Sequence, residues 1–186
     1  MNIPEIYEEN PIIAAVKDDA TLRCAIDSPC RTIFLLYGNI CDISQKVELV
    51  KNAGKLAIVH TDLIDGLENR DVAVKFIRET TKADGIISTR SIIIKAAREY
   101  GLIGIQRFFL IDSMALDNAR KHIEQGIPDV IEILPALATK AIATLRAEYS
   151  IPIIAGGLIS DKEDVINALS SGASAISTTR QDIWSL

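Results

Sequence analysis

Residues 153–158 read Ile-Ile-Ala-Gly-Gly-Leu, and residues 172–179 read Gly-Ala-Ser-Ala-Ile-Ser-Thr-Thr. Each stretch contains a short run that favours a β-strand, the first followed by glycines and the second ending in hydroxyls. Two consecutive glycines let the backbone approach an anion closely, and hydroxyls on the next strand supply further donors. In a closed parallel barrel these would be the last two strands, where phosphate sites commonly lie. The pair therefore predicts a barrel that binds a phosphorylated molecule.

Eight short aliphatic or β-branched runs alternate along the chain with segments of helical length and spacing. The runs are Ile12–Val16, Thr32–Tyr37, Leu56–His60, Gly85–Thr89, Ile105–Phe109, Val130–Leu134, Ile151–Ala155 and Ala175–Thr178. The amphipathic segments include Gln45–Asn52, Arg70–Thr81, Ile92–Tyr100, Met114–Gln125, Ala138–Tyr149 and Lys162–Ser170. Alternation of this kind is typical of a parallel sheet.

Capping residues predict where the helices begin and end. The predicted N-caps are Ser44, Ser91, Ser113 and the pair Ser160-Asp161. The predicted left-handed residues that close helices are Gly54, Gly101, Gly126 and Gly172. Both sets follow the known preference for small polar residues at helix starts and glycine after helix ends.

The predicted fold is a compact α/β protein, a (β/α)8 TIM-type barrel in a single domain over residues 1–186. Eight units in 186 residues require short loops, because such barrels usually run to about 250 residues. An open doubly wound sheet is the rival, but no Gly-x-Gly-x-x-Gly follows the first strand.

Composition narrows the class of protein. The chain is 48% hydrophobic with three cysteines, Cys24, Cys30 and Cys41, which lack metal-ligand spacing. No apolar stretch approaches the ~20 residues of a membrane span, so we expect a soluble, cytoplasmic protein with no membrane partner. The net charge of −5 gives no bulk electrostatic support for nucleic-acid binding. Positive mean hydropathy suggests that a second copy covers part of the surface, as in a homo-oligomer.

Polar residues at the predicted carboxyl ends of the strands are the candidate site, because barrel ligands bind there. The candidates for phosphate binding are Gly156, Gly157, Leu158, Ser177, Thr178 and Thr179. The candidates for contacting a polyol or a charge are Lys17, Asp62, Arg107 and Glu132, followed by His60 and Arg90.

Glu132 interrupts an apolar run and needs a partner if it is buried, for which Lys17 and Arg107 are candidates. Glu132 and Arg107 either contact a ligand or form a buried pair that fixes strand register. His60 is either a core histidine or a ligand contact. Arg90 is either a phosphate contact or an ordinary loop residue, and Asp112 is either a site residue or only a cap of the following helix.

Catalytic and metal signatures are missing from the sequence. No Ser-His-Asp order, no cysteine with a plausible base and no metal-spaced cluster emerges. A pocket with acidic and basic residues beside a phosphate-binding turn predicts a small phosphorylated polyol as the ligand. We expect neither a cofactor nor a metal.

At the candidate site residues and in the stretches around them, the chain resembles the glycerol-3-phosphate-responsive antiterminators of bacterial glycerol uptake operons. The resemblance covers nearly the whole chain and rests on residues 11–17, 34–40, 60–67, 84–89, 106–113, 131–135 and 155–158. It departs from the family pattern at Ala136, where many relatives have glycine, and at Arg90, where lysine is common.

The resemblance implies a regulator, not an enzyme, on a barrel fold. Such a protein binds glycerol 3-phosphate as effector and then the mRNA leader of its target operon, so that transcription passes a terminator. Two alternatives stay open. One is an enzyme acting on a triose phosphate or similar polyol, with Lys17, Asp62 or Glu132 as acid/base groups. The other is a metabolite-binding module that signals through a protein partner.

Overall fold

The structure is a computed structural model that describes residues 7–186. Eight parallel strands pair in chain order and the last pairs with the first, which closes a barrel. The (β/α)8 barrel predicted from the alternating runs is therefore confirmed.

The strands are β1 (Ile12–Val16), β2 (Thr32–Leu35), β3 (Leu56–His60), β4 (Gly85–Ser88), β5 (Ile103–Phe109), β6 (Val130–Leu134), β7 (Ile153–Gly156) and β8 (Ala175–Thr178). The helices between them are α1 (Asp19–Asp27), α2 (Ile43–Asn52), α3 (Asp71–Thr80), α4 (Ser91–Glu99), α5 (Ser113–Glu124), α6 (Thr139–Glu148) and α7 (Lys162–Ser170). A short 3-10 helix, Thr61–Leu63, follows β3. The predicted bounds of β1, β3, β6 and β8 are confirmed, and the other four strands shift at one or both ends.

Alternation along each strand divides the core into two layers. Ile13, Phe34, Ile58, Ile105 and Ile154 pack inside the barrel, in a cluster separate from the residues that face the helices. The outward-facing neighbours join the helix faces in a larger cluster. Because side chains alternate with a period of two, the inward set continues to Lys17, Arg107 and Glu132 at the carboxyl ends of their strands.

Three of the predicted N-caps are wrong by one or two residues. Ser91 and Ser113 are the first residues of their helices, and Ser44 lies inside α2 with its hydroxyl donating to the Thr80 carbonyl at 2.8 Å. Asp112 caps α5 instead, accepting from the Ala115 amide at 2.8 Å. A serine is as compatible with the first turn of a helix as with the N-cap, so the residue next to it determines where the helix begins.

The remaining helix ends agree with the sequence. Asp161 caps α7 by accepting from the Asp164 amide at 3.0 Å. The four glycines after helices have φ between 61° and 107°, which is the left-handed region predicted for them. Within residues 7–186, no helix is both long and apolar enough to cross a membrane.

Candidate functional site

A cavity of about 330 Å³ opens at the carboxyl ends of the strands. Eight of the residues predicted for the site line it: Lys17, Arg107, Glu132, Gly157, Leu158, Ser177, Thr178 and Thr179. A larger cavity of about 560 Å³ lies at the opposite end of the barrel, against residues that precede β4, β5 and β6. We assign the candidate site to the smaller cavity, because barrel sites form at the carboxyl ends of strands.

The centre of the cavity is a hydrogen-bonded carboxylate. Glu132 is fully buried and is the register partner of Arg107 on the neighbouring strand. Its Oε2 accepts from Arg107 Nε at 2.5 Å, and its Oε1 accepts from Ser177 Oγ at 2.6 Å. The predicted partnership of Glu132 with Arg107 is confirmed. The part played by Ser177 was not predicted, because 45 residues separate it from Glu132.

Gly156 makes room for this arrangement. It lies on β7, between the strands that carry Glu132 and Ser177, and is the register partner of Ser177. A Cβ at this position would lie 3.0 Å from Glu132 Oε1 and closer still to Ser177 Oγ. Gly156 is not part of the cavity lining, and the phosphate contact predicted for it stays a prediction.

Two cationic side chains line the cavity and keep donor groups that no other residue binds. The terminal amino groups of Arg107 form no hydrogen bond within residues 7–186, and its side chain is 12% exposed. Lys17 is exposed, and in the same part of the chain its ammonium forms no ion pair. Two positive charges against the single carboxylate of Glu132 leave the cavity lining with an excess of positive charge, which favours an anion.

The loop after β7 presents unbonded backbone amides. Gly157 and Leu158 have φ of 72° and 59°, so the chain makes two consecutive left-handed residues. Leucine in this conformation costs roughly 1–2 kcal/mol, and such strain persists where the surroundings enforce it. Within the described residues, the N–H groups of Gly157, Leu158 and Ile159 donate no hydrogen bond. Consecutive free amides form a concavity that suits an anion.

The hydroxyls after β8 have separate roles. Thr178 Oγ1 accepts from the Arg180 amide at 3.1 Å, and the Thr178 carbonyl accepts from Trp184 Nε1 at 2.9 Å. Thr179 is exposed on the cavity wall, and its hydroxyl forms no hydrogen bond with any residue from 7 to 186. Of the three predicted hydroxyls, only that of Thr179 is therefore uncommitted.

Asp62 lies outside the cavity lining. Its carboxylate accepts from Ser88 Oγ at 2.5 Å and from both the amide and the hydroxyl of Thr89 at 2.8 Å. Burial acts to raise the pKa of Asp62, but these hydrogen bonds outweigh it and hold the pKa below its ordinary value. Asp62 joins the loop after β3 to the loop after β4, and contact with a ligand stays a prediction for it.

His60 and Arg90 are also absent from the lining. His60 is 2% exposed, and neither ring nitrogen has a partner in the described structure. Burial, and then the charge of Arg107, lower its pKa from 6.5 to about 4, so the ring is neutral at physiological pH. Arg90 is exposed and precedes the first residue of α4, with its amide donating to Ser88 Oγ at 3.1 Å.

Apolar side chains complete the cavity. Leu36, Leu63, Leu134 and Ile159 line it, and none of them is among the residues predicted above for the site. Period-two alternation from Phe34 and Glu132 would have identified Leu36 and Leu134. Beyond the lining, Phe109, Ile111, Met114 and Leu137 are between 54% and 82% exposed.

Within residues 7–186, no group of three or more His, Cys, Asp or Glu side chains is placed to hold a metal ion. The cavity lining offers one buried carboxylate, two cations, free backbone amides and the Thr179 hydroxyl.

Comparison with known proteins gives a consistent result. The model of the family described as glycerol-3-phosphate responsive antiterminator matches residues 12–184. The uncharacterized protein YgcP of Escherichia coli (strain K12) is 46% identical over 186 residues, which cover 100% of this chain and 97% of that protein.

Two solved structures are similar in both sequence and fold. The glycerol uptake operon antiterminator regulatory protein of Listeria monocytogenes has a TM-score of 0.90 and 32% identity, covering 94% of this chain and 95% of that one. A glycerol uptake operon antiterminator-related protein of Thermotoga maritima has a TM-score of 0.83 and 31% identity, covering 93% and 96%.

Proposed function

This chain belongs to the glycerol-3-phosphate responsive antiterminator family, and from that premise we propose that its cavity binds glycerol 3-phosphate. We propose further that the loaded protein binds the leader RNA of glycerol uptake operons, and that it releases its ligand chemically unchanged.

The observation that carries the proposal is the pairing of free amides with a hydrogen-bonded carboxylate in one small cavity. The amides of Gly157 and Leu158, with the Thr179 hydroxyl, offer donors to phosphate oxygens. Lys17 lines the same cavity and supplies a charge that a phosphate dianion needs. Charge-assisted bonds of this type are roughly twice as strong as neutral ones.

The other side of the cavity suits the glycerol hydroxyls. A carboxylate offers about four acceptor positions, and Glu132 uses one for Arg107 and one for Ser177. Its remaining lone pairs accept from hydroxyls, and the terminal amino groups of Arg107 donate to hydroxyl or phosphate oxygens. The ligand is thus read at both ends, which distinguishes it from inorganic phosphate.

Turnover is disfavoured by the state of the acid/base candidates. Glu132 is bound by Arg107 and Ser177, and Asp62 is bound by Ser88 and Thr89. For Asp62 these donors hold the pKa below its ordinary value, which makes its carboxylate a weaker base. The family is one of regulators, and these contacts favour binding without proton transfer.

Calorimetric titration with glycerol 3-phosphate tests the proposal, with glycerol and inorganic phosphate as reference ligands. At a ligand concentration of 100 times the dissociation constant, the free energy of unfolding should rise by about 2.7 kcal/mol, as measured by thermal unfolding. NMR should show that the ligand is chemically unchanged. Glu132→Gln should weaken binding of glycerol 3-phosphate more than of phosphate. Conversion of the ligand would support the enzyme alternative, and no stabilisation would contradict the proposed ligand.

RNA binding is tested by measuring leader-transcript affinity with and without glycerol 3-phosphate. Linkage requires that a ligand which strengthens RNA binding is itself bound more tightly in the presence of RNA. Ligand binding without any RNA affinity would favour the alternative of a module that signals through a protein partner.

Self-association is a separate part of the proposal. Exposed Phe109, Ile111, Met114 and Leu137 add to the expectation from mean hydropathy that a second copy covers apolar surface. Light scattering after gel filtration should give a mass above that of one chain, and a single-chain mass at all concentrations would contradict it.

A further inference from the structure

Positive charge is concentrated on one side of the barrel. Residues 70–99, which form α3, β4 and α4, contain seven Lys and Arg against four Asp and Glu, a net charge of +3. The rest of the chain contains thirteen against twenty-one, a net charge of −8. In the sequence these basic residues are scattered, and folding gathers them because α3 and α4 pack side by side.

Most of these cations are unpaired. Arg78, Lys82, Arg90 and Lys95 are exposed, and none of their side chains forms an ion pair or a hydrogen bond within residues 7–186. The other three cations form ion pairs: Arg70–Glu68 and Lys75–Glu79 are exposed contacts at 3.7 Å, and Arg98 contacts Asp129 at 2.9 Å. On α2, by contrast, Lys46 and Lys51 are bound to carboxylates at 2.7 Å.

The free cations follow the seam between the two helices. A cavity of about 430 Å³ is lined by Lys95 and the paired Arg70, with Asp71 and Glu99. The cavity of about 560 Å³ is lined by Arg78 and Lys82 at the helix ends, with Asp84 and Asp129, whose carboxylates are bound by Lys51 and Arg98. A ten-residue helix is about 15 Å long. The seam is therefore long enough for more than one phosphate of a nucleic acid to bind along it.

We propose that this face, formed by α3 and α4 and hereafter called the basic face, is where RNA phosphates bind, through Arg78, Lys82, Arg90 and Lys95. Its charge is complementary to a polyanion and opposite to that of the remaining chain. The inference rests on the proposed function only in identifying the polyanion as RNA.

The basic face is connected to the ligand end of the barrel. Asp62 precedes α3, and it accepts hydrogen bonds from Ser88 and Thr89, which precede α4. One carboxylate therefore fixes the two loops that lead into both helices, at the same end of the barrel as the cavity. A ligand that moves either loop alters the spacing of the cations.

Fluorescence anisotropy with a labelled leader transcript from a glycerol uptake operon of the same genome tests the inference, at saturating glycerol 3-phosphate. The variant carries Arg78→Gln, Lys82→Gln and Lys95→Gln. The matched control carries Arg23→Gln, Lys121→Gln and Lys140→Gln, which are exposed, outside the basic face and equal in charge change. We expect at least a roughly tenfold loss for the variant, with its salt slope lower by about 0.7–0.9 per lost contact, and little change for the control.

The outcomes separate the two proposals. Equal RNA affinity of variant, control and wild type would overturn the basic face while leaving the proposed function intact. Failure of the wild type to bind RNA in any ligand state would overturn the proposed function and the RNA assignment together. Photo-crosslinking of wild type to the transcript is independent of any variant's folding. Crosslinks within residues 70–99 are expected, and crosslinks confined to other helices would contradict the inference.

Discussion

Glu132 on β6 and Ser177 on β8 join their side chains at 2.6 Å across the intervening strand β7. The contact is possible because Gly156 leaves the space above β7 empty. A residue predicted as part of a phosphate turn thus also leaves room for the carboxylate that we propose contacts the ligand hydroxyls.

Gly156→Ala should destabilise the protein by about 1–3 kcal/mol, because the new methyl group overpacks the space above β7. It should also weaken glycerol 3-phosphate binding. Ser177→Ala removes Ser177 Oγ, the atom nearest to the new methyl group. It should therefore lower the free energy of unfolding less in the Gly156→Ala background than in wild type. Urea unfolding of the four proteins measures this coupling. Strictly additive effects would show that the two side chains do not meet at Gly156.

Arg107→Met should destabilise the protein by roughly 3–5 kcal/mol, since it leaves the buried carboxylate of Glu132 without its charge partner. Adding Glu132→Gln should restore much of the stability. We expect the double variant to bind glycerol 3-phosphate poorly, because both proposed ligand contacts are gone. Wild-type affinity in a stable double variant would mean that the pair only fixes strand register.

The barrel could be predicted from sequence because its evidence is local. Strand runs, helical periodicity and glycines such as Gly54 depend on near neighbours, and they predict the number and order of the strands, although four of the eight strands differ from their predicted bounds. The N-caps were less certain, because Ser113 and Asp112 are both acceptable caps and only the backbone geometry chooses between them.

Long-range contacts could not be predicted in the same way. Glu132 with Ser177, and Asp62 with Ser88, depend on which strands become neighbours and in what register. The basic face likewise appears only when α3 and α4 are placed side by side. A net charge sums over the whole surface, so the value of −5 gives no sign of a local excess of positive charge.

His60 should make the protein less stable as the pH falls. Its pKa is about 4 in the folded state against 6.5 when exposed, so between these values only the unfolded chain takes up the proton. Stability contributed by the neutral ring is complete above about pH 6.5 and is lost towards pH 4, by about 3 kcal/mol. Asp62 adds a loss of the same sign, but below its ordinary value of 3.8.

His60→Gln should flatten the dependence of the unfolding free energy on pH over that window. His122→Gln is the comparison variant: burial lowers the pKa of His122 in the same direction, but its half-buried side chain lies on α5, so this substitution should flatten the dependence less than His60→Gln does. Denaturant unfolding at several pH values measures both. An unchanged slope in His60→Gln would contradict a buried, neutral His60.

Gly157→Val should weaken glycerol 3-phosphate binding by at least about tenfold, because its side chain would stand beside Leu134 where the anion approaches the free amides. Gly54→Val is the matched control. Gly54 has the same φ of 72°, but a Cβ there has nothing within 4 Å, so the two variants share the backbone strain and differ in the cavity. Both should lose similar stability in urea, while calorimetry should show normal affinity for Gly54→Val alone. Normal affinity in Gly157→Val would place the phosphate elsewhere, and unfolding of Gly157→Val alone would show that the turn is structural.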